Sequence, residues 1–243
     1  MMSGKSWGYV VQFFCLLVFF SHPSLSEMGT CPKTPEDRKT MSVSSDSVRS
    51  QNVSDEVKPV AALTFDDGPN ASSTPILLDG LKERKVRATF FLIGENVEKD
   101  ENEKIVKRMY EEGHLIGNHT YTHCNLSKLE TGEAKKELEQ TDTVIEKITG
   151  KQPVFARAPY GELPVDSEQD LSRIYIGWTV DPLDWMTEDA GAVVKTVVEE
   201  INPGDIILLH DCYPSSVQAA IRIVDLLQGK GYEFVTVDHL IMD

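Results

Sequence analysis

The apolar positions of this chain fall into three zones. Residues 7–20, WGYVVQFFCLLVFF, are almost wholly apolar; residues 27–58 are polar, rich in Ser and Asp, and have almost no apolar periodicity. From residue 59 onward, short apolar runs alternate with longer amphipathic ones. The short runs predict strands at VAALTF (60–65), ATFFLIG (88–94), HLIGN (114–118), VFAR (154–157), IYIGWTV (174–180), DIILL (205–209) and EFVTV (233–237). The longer ones predict helices. STPILLDGLKERK (73–85) has a Ser/Thr start and Pro75 in its first turn; ENEKIVKRMYEEG (101–113) ends on a glycine suited to a C-cap. In 129–150, Leu138, Thr141, Ile145 and Ile148 share one face, and residues 188–201 and 215–231 complete the set.

Seven strand segments separated by helices predict a parallel α/β architecture. The apolar runs do not alternate with polar residues, as expected of strands covered on both faces. Periodicity alone does not separate an open doubly wound sheet from a barrel. Residues 161–173, GELPVDSEQDLSR, are too irregular for a full helix, so any barrel would be distorted.

The first zone reads as an export signal over residues 1–26. Lys5 gives it a positive start, its apolar stretch is short for a bilayer, and Ser24 and Ser26 are small residues that place cleavage near Ser26. An uncleaved anchor is the alternative, and both readings put the rest of the chain outside the cytoplasm. Residues 27–58 read as a disordered polar linker and 59–243 as the folded domain. The formal charge of −15 argues against nucleic acid or an anionic membrane as partner and suits a neutral substrate. No stable protein partner is indicated. Outside the signal, Cys31, Cys124 and Cys212 allow at most one internal disulfide. Cys124 follows His123 and Cys212 follows Asp211, so these two thiols are expected near each other.

The reactive residues cluster by position. TFDDGP (64–69), NHTYTH (118–123), RAPYG (157–161), DPLDW (181–185) and HD (210–211) each follow a predicted strand. In parallel α/β folds the carboxyl ends of strands share one face, where active sites form. Asp66 and Asp67 leave a strand as neighbours and point in different directions, so they can hold different roles. The spacing of His119 and His123 places both rings on one face of a helical turn. One carboxylate and two imidazoles leave an open position on zinc, the pattern of a catalytic site. The second aspartate is then available as base and His210, from another strand, as acid. Arg157 is suited to orient an aspartate, and Asp184 to hold the His210 tautomer. Trp185 and Leu208 are candidates for the walls of a small apolar slot.

From about Val60 to Val237 the chain resembles the polysaccharide deacetylases of carbohydrate esterase family four, through five motifs in order: TFDDGP, HTYTH, RAPYG, DPLDW and LLHD. The resemblance implies a distorted (β/α)7 barrel and a divalent metal, most often Zn2+, with Co2+ or Ni2+ as alternatives. It implies Asp66 as general base, with Asp67, His119 and His123 as metal ligands. Arg157 would position the base, the Tyr160 backbone N–H would help bind the oxyanion, and Asp184 would tune the acid His210. Trp185 and Leu208 would line the acetyl pocket. The expected activity is N-deacetylation of an acetylated polysaccharide, first peptidoglycan N-acetylglucosamine. Chitin or its oligomers, an O-acetyl ester of xylan, and a non-catalytic glycan-binding role are the alternatives.

Overall fold

The computed structural model describes residues 58–99, 101–163 and 172–242, which belong to the unit Ser54–Asp243. The signal, the linker up to residue 57, Cys31 and most of the irregular segment 161–173 lie outside the described residues. No helix among the described residues is long and apolar enough to cross a membrane.

All seven predicted strands form: β1 (Val60–Asp66), β2 (Thr89–Leu92), β3 (Leu115–Asn118), β4 (Phe155–Ala156), β5 (Ile174–Tyr175), β6 (Ile206–His210) and β7 (Glu233–Val235). Every pairing is parallel, in the order β5-β4-β3-β2-β1-β6, and β7 pairs with the first half of β1. Ala62 pairs with Ile206 on one side and with Val235 on the other. β5 is shorter than the sequence indicates, because the chain leaves the sheet after Tyr175. It rejoins at Val180, which bridges to Ile207, and the Val180 carbonyl accepts a bond from the Leu208 N–H at 3.0 Å. That bridge joins the two ends of the sheet order, giving a distorted barrel.

The helices are α1 (Thr74–Glu83), α2 (Gly94–Val97), α3 (Asn102–Glu111), α4 (Thr131–Thr149), α5 (Ala190–Glu200), α6 (Pro214–Gly229) and α7 (Val237–Met242). The one-turn α2 and the terminal α7 have no counterpart in the apolar periodicity, being too short to show one. Local chemistry sets the longer boundaries. Asp189 accepts from the N–H groups of Gly191 and Ala192 to cap α5, and Gly150 closes α4 at φ 74.

Alternation along β1 divides the interior. Leu63 and Phe65 pack outward among α1, α5 and α6 in the main core, where Phe65 stacks on Phe90 at 5.2 Å. Ala62 joins Phe91, Phe155 and Ile176 in a separate inner cluster. Thr64 and Asp66 continue that inward row, so Asp66 is delivered to the carboxyl end of the barrel with its side chain directed inside.

Candidate active site

The lower part of the site is built around Arg157, which is 1% exposed. Its Nη1 donates to Asp66 Oδ1 at 2.9 Å and to Thr64 Oγ1 at 2.7 Å; Nε donates to the Ile176 carbonyl and Nη2 to the Gly177 carbonyl. The guanidinium also lies over the Phe91 ring at 4.3 Å. Burial pushes the Arg157 pKa down and Asp66 works against that. An arginine this well bonded fixes the orientation of the buried Asp66 carboxylate beside it.

Asp67, His119 and His123 offer three ligand atoms within 4.8 Å of one another. Asp67 Oδ1 lies 3.4 Å from His119 Nε2 and 3.1 Å from His123 Nε2. His119 Nδ1 is 2.7 Å from the Arg157 carbonyl, which only accepts, so Nδ1 carries the proton and Nε2 presents its lone pair to Asp67. Asp67 Oδ1 is buried and without a hydrogen-bond partner. Lone pairs converging on an orphaned carboxylate oxygen repel one another unless a cation lies between them, so the donor set fits a divalent metal. His119 is buried whereas His123 and Asp67 are partly open, so the cluster faces solvent on one side, as a catalytic metal site requires.

The histidines are not on a helical turn, contrary to what their spacing indicates. Residues 119–123 form an irregular loop in which Thr120 has φ 66 and His123 has φ 59. Tertiary bonds impose that shape. The first N–H groups of α2, unpaired within their own helix, bond to the Thr120 and Tyr121 carbonyls at 3.0 Å each. From α4, the Glu137 carboxylate accepts the Tyr121 and Thr122 N–H groups at 3.0 and 2.8 Å. Asn118, fully buried, bonds to the Leu138 carbonyl and to Asp142, and Asp142 pairs with Arg173 at 2.5 Å.

The acid side is simpler. His210 Nδ1 lies 2.8 Å from Asp184 Oδ1, and the His210 backbone N–H donates to Asp184 Oδ2 at 2.8 Å. Asp184 is buried, so it fixes the ring and its tautomer, leaving Nε2 available. Burial by itself lowers the His210 pKa, but the Asp184 carboxylate reverses this and raises it to about 9, with help from Asp66 and Asp67. Leu208 faces inward from β6 and is buried, while Trp185 is half exposed at the rim.

Tyr160 lies beside the metal-ligating cluster. It sits at φ 63 in the turn Pro159–Gly161, but the conspicuous contact is from its exposed side chain, whose hydroxyl lies 3.3 Å from His123 Nδ1. Cys124 and Cys212 are both free thiols. Asp211 plays a part that the sequence does not announce. It is fully buried, it accepts from the Thr74 hydroxyl, and its carbonyl accepts from the Ser73 hydroxyl. A Cβ on Gly68 would come within 2.5 Å of Asp211 Oδ1, which is why glycine follows the two aspartates. Burial lifts the Asp211 pKa to about 7. Glu137 and Asp142 were also missed, since a carboxylate on an amphipathic helix reads as solvated surface.

Comparison with known proteins agrees with this geometry. Residues 54–176 match the Polysaccharide deacetylase family. A peptidoglycan-N-acetylglucosamine deacetylase of Bacillus cereus is 41% identical over 75% of this chain and 68% of its own. The peptidoglycan-N-acetylmuramic acid deacetylase PdaC of Bacillus subtilis is 40% identical over 74% of this chain, which spans only 38% of that longer protein. A solved structure of PdaC superposes with a TM-score of 0.73 at 38% identity, covering 76% of this chain and 90% of that one. A chitooligosaccharide deacetylase of Rhizobium leguminosarum is 39% identical over 66% of this chain and 72% of its own. A barrel whose strand ends carry five motifs, and relatives of this kind across three quarters of its length, have one explanation: the chain belongs to the polysaccharide deacetylase family, metal-dependent hydrolases that remove acetyl groups from carbohydrates.

Proposed function

We propose that this protein is an exported N-deacetylase that acts on the N-acetylglucosamine residues of peptidoglycan, with zinc as its metal. The observation that carries the reading is the placement of two hydrogen-bonded acid–base pairs beside one cluster of metal-ligating side chains. Asp66 with Arg157 lies on one side, with Asp66 Oδ2 3.8 Å from the ligand atom of His119, and His210 with Asp184 supplies the other. The substrate class is supported by the relatives from Bacillus cereus and Bacillus subtilis, which are named for peptidoglycan. Cobalt or nickel satisfies the same donor set.

Asp67, His119 and His123 would hold the cation, whose chemistry when bound would be to acidify a water and polarise the acetyl carbonyl. Asp66 is placed to take a proton from the attacking water, and Arg157 keeps it aimed. As the carbon–nitrogen bond breaks, the His210 imidazolium gives its Nε2 proton to the departing nitrogen, leaving acetate and an amino sugar. Asp184 stabilises the imidazolium before that transfer. Inward-facing Leu208 and the rim residue Trp185 suit a small acetyl methyl, and the Tyr160 N–H is the proposed donor to the carbonyl oxygen as charge develops there.

The test is acetate release from defined peptidoglycan fragments, chitooligosaccharides and O-acetylated xylan, with analysis of the sugar product. Free amino groups on peptidoglycan glucosamine are expected, with kcat lowered at least about 100-fold in Asp66→Asn. Release from xylan esters alone would overturn the amide reading.

A further inference from the structure

The one-turn helix α2 bonds to both of the chain segments that carry the metal-ligating side chains. Toward the histidine loop, its Gly94 and Glu95 N–H groups donate to the Thr120 and Tyr121 carbonyls. The approach is close: a Cβ on Gly94 would fall 3.2 Å from the Tyr121 Cα and nearer still to the Tyr121 ring. Toward the turn after β1, the Asn96 side chain donates through Nδ2 to the Asp67 carbonyl at 2.7 Å. The next two carbonyls of that turn are also held. Gly68 accepts from the Ile93 N–H at 3.0 Å, and Pro69 from the Asn102 side chain at 3.1 Å. Asn102 is buried, and its Nδ2 donates to the Asn96 carbonyl as well, at 2.7 Å. Neither asparagine belongs to the five motifs.

We infer that Asn96 is a positioning residue for the metal site: its amide, backed by Asn102, fixes the backbone from which Asp67 reaches the ion. The inference rests on the reading of Asp67, His119 and His123 as the metal ligands. Asp67 sits at φ 70, a left-handed conformation that an aspartate enters at some cost and keeps only where its surroundings hold it. The bond from Asn96 to the Asp67 carbonyl is such a hold. With that donor gone, the peptide after Asp67 can relax, which shifts the Asp67 Cα and its carboxylate. The two imidazoles do not follow, because their loop stays anchored to the amino end of α2. Metal ligands must meet the ion to within a few tenths of an ångström, so a small shift of one of three is felt as lost affinity.

Asn96→Leu keeps much of the side-chain shape and removes the donor without adding charge; Asn96→Ala is the smaller second variant. Lys99→Gln is the control, since exposed Lys99 bonds to Asn96 Oδ1 and stands outside the link to Asp67. Zinc affinity of the full chain is read by competition with a chelator. It is expected to weaken about tenfold in both Asn96 variants and to stay within about twofold of native in the control. The visible absorption bands of the cobalt-loaded protein should shift in Asn96→Leu, which reports altered ligand geometry rather than altered stability. Unchanged zinc affinity in the Asn96 variants, or an equal loss in Lys99→Gln, would overturn the inference. Failure of both Asn96 variants to fold would overturn it too, by assigning the amide to the fold alone. A native protein that binds neither zinc nor cobalt would instead refute the metal reading itself.

Discussion

The base and acid sides of this site are built as opposites. On one side the proposed base is a carboxylate, Asp66, and its holder is a cation, Arg157; on the other the proposed acid is an imidazole, His210, and its holder is a carboxylate, Asp184. The holders differ in kind. Arg157 is bonded through Nε, Nη1 and Nη2, lies against aromatic faces and cannot be titrated in any working range. Asp184 holds a ring that can gain and lose its proton, with its pKa raised to about 9. On the proposed reading Asp66 is oriented by a fixed charge, and His210 carries the pH dependence.

Removing Arg157 should break that comparison most severely. Arg157→Leu leaves Asp66 buried and unpaired, and stability should fall by about 3–5 kcal/mol, measured by denaturant titration of the metal-free protein. A loss within about 1 kcal/mol, the value of an exposed pair, would mean that Asp66 is reached by water and is not dependent on its partner.

Asp184→Asn sharpens the other half. His210 has its pKa raised to about 9, so the imidazolium persists below that value and is lost as pH rises through it. Activity should therefore decline on an alkaline limb near pH 9. The same shift contributes stability that is fully present below the ordinary histidine pKa of about 6.5 and is lost between there and about 9. With asparagine at 184, burial is opposed only by Asp66 and Asp67, and the limb should move down by about two units, with kcat near pH 8 falling about tenfold. A limb that stays in place would assign it to another group.

Glu137→Gln produces the smallest effect and tests the loop between the two histidines. Its carboxylate gathers the Tyr121 and Thr122 N–H groups, so loosening it should misplace His123 relative to His119. Metal affinity, read by competition with a chelator, should weaken about tenfold, the low end for a group that orients ligands. Activity should return at saturating metal, which a fault in acid or base would not allow.

The two halves were not equally legible. Asp66, Asp67, His210 and Arg157 could be placed because each follows an apolar run, and strand direction carries a strand-end residue to one face whatever the rest of the chain does. The seven strands were visible for the same reason, since burial on both faces leaves a local apolar signature. The His119–His123 loop could not be read correctly. An i, i+4 spacing indicates a helical turn, yet the loop's conformation is set by α2 and by Glu137 and Asp142 from α4.

The sequence by itself determined which residues stand at the carboxyl ends of the strands, and hence the chemistry available: a carboxylate and two imidazoles for a metal, an aspartate for a base, a histidine for an acid. Tertiary structure alone decided that Val180 would meet Ile207 and bring the ends of the sheet together, that His119 would direct Nε2 toward Asp67, and that Gly68 would lie against Asp211. The division has a physical cause. Burial and strand direction act residue by residue and leave a local pattern, whereas hydrogen-bond partners far apart in the chain are chosen only once the barrel has packed.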